Sequence, residues 1–172
     1  MVAHGWSGDS MRRFAMNETC AFEEYITRLD ESGYPMKKIV LIACSKDKAR
    51  VPCAVQDLYV SPLFRRSLAY ARKLEPDAIY ILSAKHWLLD LADVVAPYNC
   101  TLNGMDTEEV KAWSVRVLVK LRNVSDPDGD RYVFLAGKQY YTHIIKHLKH
   151  PPILPLEHLS IGRRLAYLKA NT

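Results

Sequence analysis

The sequence lacks any long apolar run. Its longest uninterrupted apolar stretch is Ile39–Cys44, whereas a transmembrane helix needs about 20 apolar residues. The first residues, Met1–Arg13, also lack the apolar core of a secretory signal peptide. We therefore predict a cytoplasmic protein with no membrane partner.

Cysteine is scarce, and its spacing is not that of a metal site. The four cysteines are at positions 20, 44, 53 and 100, and none forms a CxxC pair. A chain of 172 residues buries enough surface to fold without disulfides. His143, His147 and His150 recur on one side of a predicted helix, but HExxH is absent, so they indicate a solvated basic helix end. We expect free thiols, no metal and no other cofactor.

Acidic residues are few in the last third of the chain. Overall, 24 Lys and Arg face 19 Asp and Glu, a net charge of +5. Between Lys111 and Thr172 there are 11 basic residues and only four acidic ones. This asymmetry permits an anionic partner such as a nucleotide or a nucleic acid, although it does not require one.

Short β-branched runs alternate with helical periodicity along the chain. The predicted strands are Lys38–Ala43, Ala78–Leu82, Arg131–Ala136 and a short Ile153–Leu156. Such alternation is typical of an α/β protein. We predict a three-layer fold, with a mostly parallel four-stranded sheet and helices on both faces. Residues 1–35 are predicted to form a tail and an amphipathic helix, and residues 36–172 a single α/β domain.

Local signals define the predicted helices. Ser61 followed by Pro62 marks one start, and Asp106 with Glu109 forms a capping pair that marks another. A further helix is predicted over residues 138–149, and Ser160 precedes the last one. Residues 83–105 are predicted to be a long irregular connection, which in a compact domain is usually functional or mobile.

Ligands of α/β sheets bind beyond the carboxyl ends of the strands. After the first predicted strand come Cys44, Ser45, Lys46 and Lys48, in a loop that has no glycine and is not a P-loop. Ser45 and Lys46 are candidates to bind an anionic or carbonyl group. Cys44 is either a nucleophile or a small buried thiol. Both lysines are either ligand contacts or solvated loop residues.

The second strand exit carries a hydroxyl, an ammonium and an imidazole within four residues. Ser83, Lys85 and His86 are followed by Trp87. His86 is a candidate general acid or base near neutral pH, and Lys85 a candidate to position or stabilise charge. The alternative is that His86 is structural. Trp87 either stacks on a base or covers the core.

The remaining candidates lie in the other loops. Asp57 is the best carboxylate near the predicted cleft, or else a turn cap. Gly137 permits close approach of a ligand to the backbone, or simply forms a strand-to-helix turn. The further ligand-binding candidates are Tyr59, Ser61, Tyr98, Tyr140, Arg163 and Arg164, with surface solvation or core packing as the alternatives.

Taken in order, these motifs resemble a bacterial and phage family of unknown function. The matching segments are Ala43–Lys48, Asp57–Phe64, Ile81–Leu89, Pro97–Tyr98, Ala136–Tyr140 and Pro155–Gly162. This sequence departs from the family pattern at two places. Trp87 stands where the family usually has glycine, and His158 and Ser160 interrupt the final segment, which is glycine-rich in the family. The family is more distantly similar to YaaA-like proteins and to uracil-DNA-glycosylase-like α/β domains. The resemblance implies a base-directed activity, although fold alone does not give function.

We favour an enzyme acting on a nucleobase, a nucleoside or a nucleic-acid base, through glycosidic cleavage or base modification or transfer. Asp57 or His86 would move protons and Lys85 would stabilise charge. Trp87, Tyr98 or Tyr140 would stack on the base. The alternative is a non-catalytic nucleotide- or nucleic-acid-binding module. A third hypothesis is an accessory protein that acts through protein contacts, and self-association stays open.

Overall fold

A computed structural model describes Gly33 and residues 35–172 of this chain. Lys37–Thr172 form one compact unit. The predicted amphipathic helix within residues 1–35 lies outside the described residues. The division of the chain near residue 36 therefore stays a prediction.

The main sheet has four strands in the order β4-β3-β1-β6. The strands are β1 (Lys38–Ala43), β2 (Cys53–Ala54), β3 (Ala78–Ser83), β4 (Trp87–Asp90), β5 (Val94–Val95) and β6 (Arg131–Leu135). β1 pairs in parallel with β3 on one side and with β6 on the other. β3 and β4 pair antiparallel, from Ser83 opposite Trp87 to Tyr80 opposite Asp90. β2 and β5 form a separate two-stranded antiparallel sheet.

The α/β class is confirmed, but the prediction of a mostly parallel sheet is wrong because one edge is antiparallel. The fourth strand is β4, which lies within the predicted irregular connection. The adjacent Leu88 and Leu89 are both buried, one on each side of the strand, and this conceals its alternation. The predicted strand Ile153–Leu156 makes only a single bridge, Ile153 to Val133, because Pro155 has no N–H to donate to a ladder.

Five helices are described: α1 (Val55–Leu58), α2 (Pro62–Lys73), α3 (Thr107–Val124), α4 (Lys138–Tyr141) and α5 (Ile161–Asn171). Ser61 caps α2, since its Oγ accepts the N–H of Phe64 at 3.2 Å. At α3 the capping box is complete, with reciprocal bonds between Asp106 and Glu109. In the described part of the chain, no helix is both long and apolar enough to cross a membrane.

The predicted helix over residues 138–149 is wrong in its length. α4 ends at Tyr141, and a 3₁₀ turn over Ile145–His147 follows, in which the N–H of His147 reaches Ile144 at 3.0 Å. The intervening β-branched residues favour such a break, because they lose side-chain freedom in a helix. The histidine spacing expected of one continuous helix does not arise.

Successive residues of β1 contribute to two different core clusters. Ile39 and Leu41 belong to a cluster that includes Trp113 and Val117 of α3. Val40 and Ile42 belong to a second cluster, with Phe64 of α2 and Leu168 of α5. This is the period-two alternation of a strand that is buried on both sides. β1 is therefore the centre of the fold, and its carboxyl end lies between both cores.

Asp130 fixes the start of β6. Its carboxylate is buried and accepts the N–H groups of Lys37 and Asp126, each at 2.8 Å. We expect Asp130→Ala to lower the free energy of unfolding by about 2–3 kcal/mol, because two backbone donors lose a charged acceptor. Urea unfolding measures this loss. The exposed Asp128→Ala in the same turn is the control, and an equal loss in both variants would contradict the assigned role.

Candidate functional site

Hydrogen-bonded hydroxyls gather at the carboxyl ends of β1 and β3. The Tyr98 hydroxyl lies 2.7 Å from the Tyr59 hydroxyl and 2.7 Å from Ser83 Oγ. Ser83 Oγ also accepts the backbone N–H of His86 at 2.9 Å. We refer to Lys48, Tyr59, Ser83, His86 and Tyr98 as the edge cluster. It joins four of the six segments in which the sequence places candidates.

Lys48 lies against the aromatic rings of the edge cluster. Its Nζ is 4.1 Å from the centroid of Tyr98 and 5.5 Å from that of Tyr59, within cation–π range. It donates to the carbonyl oxygen of Ser45 at 2.9 Å and to that of Lys46 at 3.3 Å. An antiparallel bridge between Lys48 and Tyr59 holds the two backbones together. Burial lowers the pKa of Lys48.

His86 is in contact with the same tyrosine from the other strand exit. Its ring lies 5.1 Å from that of Tyr98, at 80° to it. Burial, and then the charges of Lys85 and Lys120, lower the pKa of His86. The imidazole is therefore neutral at pH 7 and is able to accept a proton. Lys85 is exposed, with its Nζ 5.8 Å from the Tyr98 ring.

A groove of ≈ 380 Å³ lies beside these two residues. Lys85 and His86 line it, together with Leu89 and residues 93–96 around β5. The groove gives an approach to the edge cluster from solvent.

Cys44 and Tyr140 extend the site toward β6. Cys44 Sγ lies 3.4 Å from the Tyr140 hydroxyl. The Tyr140 ring contacts Trp113 edge-on, with centroids 5.7 Å apart. The indole N–H of Trp113 in turn donates to the carbonyl oxygen of Ser83 at 2.9 Å. Trp113 thus connects the ends of β3 and β6 beneath the site.

Three phenols of the site are protonated at neutral pH. Burial raises the pKa of Tyr59 to about 12 and also raises the pKa of Tyr98 and of Tyr140. A protonated phenol can donate a hydrogen bond to an uncharged acceptor such as a carbonyl oxygen. The two bonds among Tyr59, Tyr98 and Ser83 use two of their three hydroxyl protons, so one proton of this chain is left for a ligand.

The raised pKa values predict a loss of stability at alkaline pH. The Tyr59 phenol ionises near pH 10 when unfolded and near pH 12 when folded, so its stabilising contribution is complete below pH 10 and is lost between pH 10 and 12. We expect the urea midpoint to fall across this interval. The urea midpoint of Tyr59→Phe should fall less over the same interval, when each variant is compared with its own midpoint at pH 8. An unchanged midpoint to pH 11.5 would contradict the assignment.

Three other candidates line a second, smaller cavity. Ser45, Ser61 and Gly137 border a space of ≈ 60 Å³ between the ends of β1 and β6 and the start of α2. Arg164 of α5 borders it as well, whereas the neighbouring Arg163 is exposed. Of this pair of arginines, only Arg164 lies at the carboxyl edge of the sheet.

Asp57 and Lys46 are also not part of the edge cluster. Asp57 is exposed on α1, and no hydrogen bond or ion pair joins its carboxylate to another described residue. Lys46 is also exposed, and only its backbone carbonyl contacts the cluster, through Lys48. The ionisable bases of the edge cluster are therefore Lys48 and His86, and burial lowers the pKa of each, which favours the uncharged form.

Trp87 lies where β4 begins, and its backbone is strained. Its φ is +67°, which a bulky residue rarely adopts. The Arg116 guanidinium lies 5.0 Å and Lys120 Nζ 5.4 Å from its ring. Lys120 also donates to the carbonyl oxygens of His86 and Leu88, each at 3.2 Å. Two cations of α3 therefore hold the turn that carries His86.

The sequence did not indicate the roles of three residues. They are Trp113, Lys120 and Ser67. Ser67 is the one that had a visible signal, because it is a polar residue on the apolar side of α2, three positions after Phe64. The contacts of Lys120 and Trp113 are long-range and leave no local pattern.

Comparison with known sequences identifies a family. The match is to a group described as "Family of unknown function (DUF6884)", over residues 39–170, and the chain belongs to this family. Neither the curated proteins nor the solved structures include a match to the chain. Among the described residues, no group of three or more His, Cys, Asp or Glu side chains is placed to hold a metal ion.

Proposed function

We propose that this protein is an enzyme acting on a nucleobase, either in a nucleoside or nucleotide or in a nucleic acid, that breaks or exchanges the bond between base and sugar. The observation that carries the proposal is the edge cluster, in which protonated phenols, a partly buried ammonium and a neutral imidazole meet at one sheet edge. Ligands of α/β sheets bind at this edge. The resemblance to uracil-DNA-glycosylase-like and YaaA-like domains agrees with this proposal.

The groups of the cluster suit the recognition of a base. A nucleobase presents carbonyl and ring-nitrogen acceptors in one plane, and Tyr98 and Tyr140 offer phenol donors and ring faces. Lys48 adds a positive charge, held in place by the carbonyl oxygen of Ser45. Such donors bind a developing negative charge better than a neutral carbonyl.

In the proposed reaction, the bond between the sugar carbon and the base nitrogen breaks and its electron pair goes to the base. Lys48 and the phenols stabilise the negative charge on the leaving base. Water adds to the sugar carbon, and His86 accepts the proton that this water loses. The base leaves after protonation from solvent or from His86. Lys85 holds a negative group at the mouth of the groove.

A panel of ligands tests the proposal. We expect the melting temperature of the full chain to rise with a nucleobase, a nucleoside or a nucleotide, because ligands that bind only the folded state stabilise it. We expect Lys48→Met to abolish that rise. Chromatography of the same mixtures would detect released base. The exposed Lys46→Met is the matched control, and a shift that survives Lys48→Met would contradict this placement of the site.

One observation favours a second candidate, a non-catalytic nucleic-acid-binding module. Trp87 lies beside the basic side chains of Arg116 and Lys120, next to the exposed Lys85. Stacking rings among cations are typical of single-strand binding surfaces. Binding of an oligonucleotide that weakens steeply with salt, without release of any base, would favour this candidate. A cytoplasmic location is part of both proposals.

A further inference from the structure

We propose that the small cavity beside the edge cluster is a subsite for a phosphate monoester, so that the substrate is a nucleotide with a terminal phosphate. This inference rests on the proposed function for the base, but it concerns different residues. Its evidence comes from Ser67, Arg164 and the start of α2.

Ser67 is a buried hydroxyl without a partner in the described structure. The residue is 2% exposed and lines the cavity. No hydrogen bond joins its hydroxyl to another described residue, and its Oγ is not fully enclosed by protein, so it is open to the cavity. A hydroxyl on an apolar helix side normally finds an acceptor when it is buried. An oxygen atom of a ligand in the cavity would supply one.

Arg164 presents its guanidinium to the same cavity. Its Nε donates to the carbonyl oxygen of Leu159 at 2.8 Å, which fixes the plane of the group and leaves its terminal nitrogens for another acceptor. A Cβ at Gly137 would lie 3.7 Å from Arg164 Nη1, so the guanidinium faces the end of β6. No ion pair joins Arg164 to a described carboxylate, and none of the described lining residues is acidic.

The start of α2 adds a favourable field. α2 is a helix of 12 residues, and its cap Ser61 borders the cavity. The positive end of the helix dipole and the N–H of Leu63 favour an anion there, whereas Pro62 has no N–H and those of Phe64 and Arg65 donate to Ser61. Ser61 Oγ accepts the N–H of Phe64, so its own hydroxyl proton is available to an occupant.

The size of the cavity fits the proposed group. One water needs about 10–15 Å³ of such space, so ≈ 60 Å³ holds four or more small heavy atoms, as a phosphoryl group requires. Ser45 borders the cavity while its carbonyl oxygen accepts the ammonium of Lys48. The two sites therefore share one loop, which places the proposed phosphate subsite next to the proposed base site.

Calorimetric titration of the full chain tests the subsite. The probes are inorganic phosphate, adenosine and uridine, and the 5′-monophosphates of both. We expect the monophosphates to bind at least tenfold more tightly than their nucleosides. Ser67→Ala and Arg164→Gln should reduce that advantage to less than threefold. Arg163→Gln, one residue away and exposed, should leave it unchanged. We expect Ser67→Ala to keep the wild-type melting temperature, because it breaks no hydrogen bond.

The outcomes separate the two proposals. Equal affinities of nucleosides and monophosphates, or an advantage that survives Ser67→Ala and Arg164→Gln, would overturn the subsite and leave the base-directed function standing. A different result would support the subsite but count against the base-directed function. In that result both variants abolish phosphate binding, and the monophosphates bind no more tightly than inorganic phosphate. If Arg164→Gln fails to fold, Ser67→Ala with Ser45→Ala decides the question.

Discussion

His86→Gln is expected to lower turnover by about 100-fold or more, because general acid or base groups contribute factors of roughly 10² to 10⁴. Glutamine fills a similar volume, and the backbone N–H of residue 86 still donates to Ser83 Oγ. The turn should therefore persist, and the melting temperature should stay within a few degrees of the wild-type value. The rate is measured by chromatography of the free base that is released.

The pH profile of the wild-type enzyme gives an independent test of this role. The pKa of His86 lies below its ordinary value of 6.5 because of burial and the charges of Lys85 and Lys120. The base form therefore predominates at pH 7, so kcat/KM should change little from pH 7 to 8. The acidic fall in kcat/KM should occur at a lower pH than the pH at which an unperturbed histidine titrates. His86→Gln should remove that acidic limb.

His158→Gln is the matched control for His86→Gln, because the His158 side chain is 88% exposed and its nearest acidic partner is Glu157, at 3.7 Å. Its rate should equal that of the wild type. A His86→Gln enzyme with an unchanged rate and an unchanged acidic limb would show that His86 is structural. In that case Lys48 would be the next candidate for proton transfer.

Trp113→Ala is expected to lower the free energy of unfolding by about 3–5 kcal/mol, the usual cost of removing a buried aromatic side chain. Trp113 is 4% exposed and lies in the cluster formed with β1 and β6. The substitution also leaves the carbonyl oxygen of Ser83 without its indole donor and removes the ring that contacts Tyr140. Guanidinium chloride unfolding measures the effect.

Trp113→Phe separates packing from hydrogen bonding. It keeps an aromatic ring but not the N–H, so we expect a loss of about 1–3 kcal/mol, typical of a buried group left unsatisfied. Trp113→Ala should in addition weaken ligand binding at the edge cluster, because the support of both Ser83 and Tyr140 is gone. A loss below 1 kcal/mol in Trp113→Ala would contradict the bridging role.

The parts of the fold that were predictable from sequence have local causes. The strand at Lys38–Ala43 follows from a β-branched run buried on both sides. Ser61 and the pair Asp106–Glu109 mark helix starts through contacts three residues apart. β4 was not predictable in this way, because its pairing with β3 depends on tertiary packing and its four residues show no alternation.

The candidate site was likewise predictable only in part. The strand exits placed Ser83, His86 and Lys48 at one edge of the sheet, because parallel strands end on the same side. The sequence does not show which of Arg163 and Arg164 faces the site. Adjacent side chains on a helix point about 100° apart, and only packing decides which one faces inward. Asp57 was favoured for its chemistry, but the short α1 leaves it exposed.

The tight turn between β3 and β4 limits which changes in length the protein can accept. Only three residues, 84–86, connect Ser83 to its cross-strand partner Trp87, and two of them are Lys85 and His86. Adding or deleting one residue there would shift the pairing by one position and exchange the two faces of β4. Leu88 and Leu89 would exchange their core clusters, and the imidazole of His86 would be displaced as well. Related chains should therefore vary in length around residues 99–105, between β5 and α3, while keeping three residues at this turn.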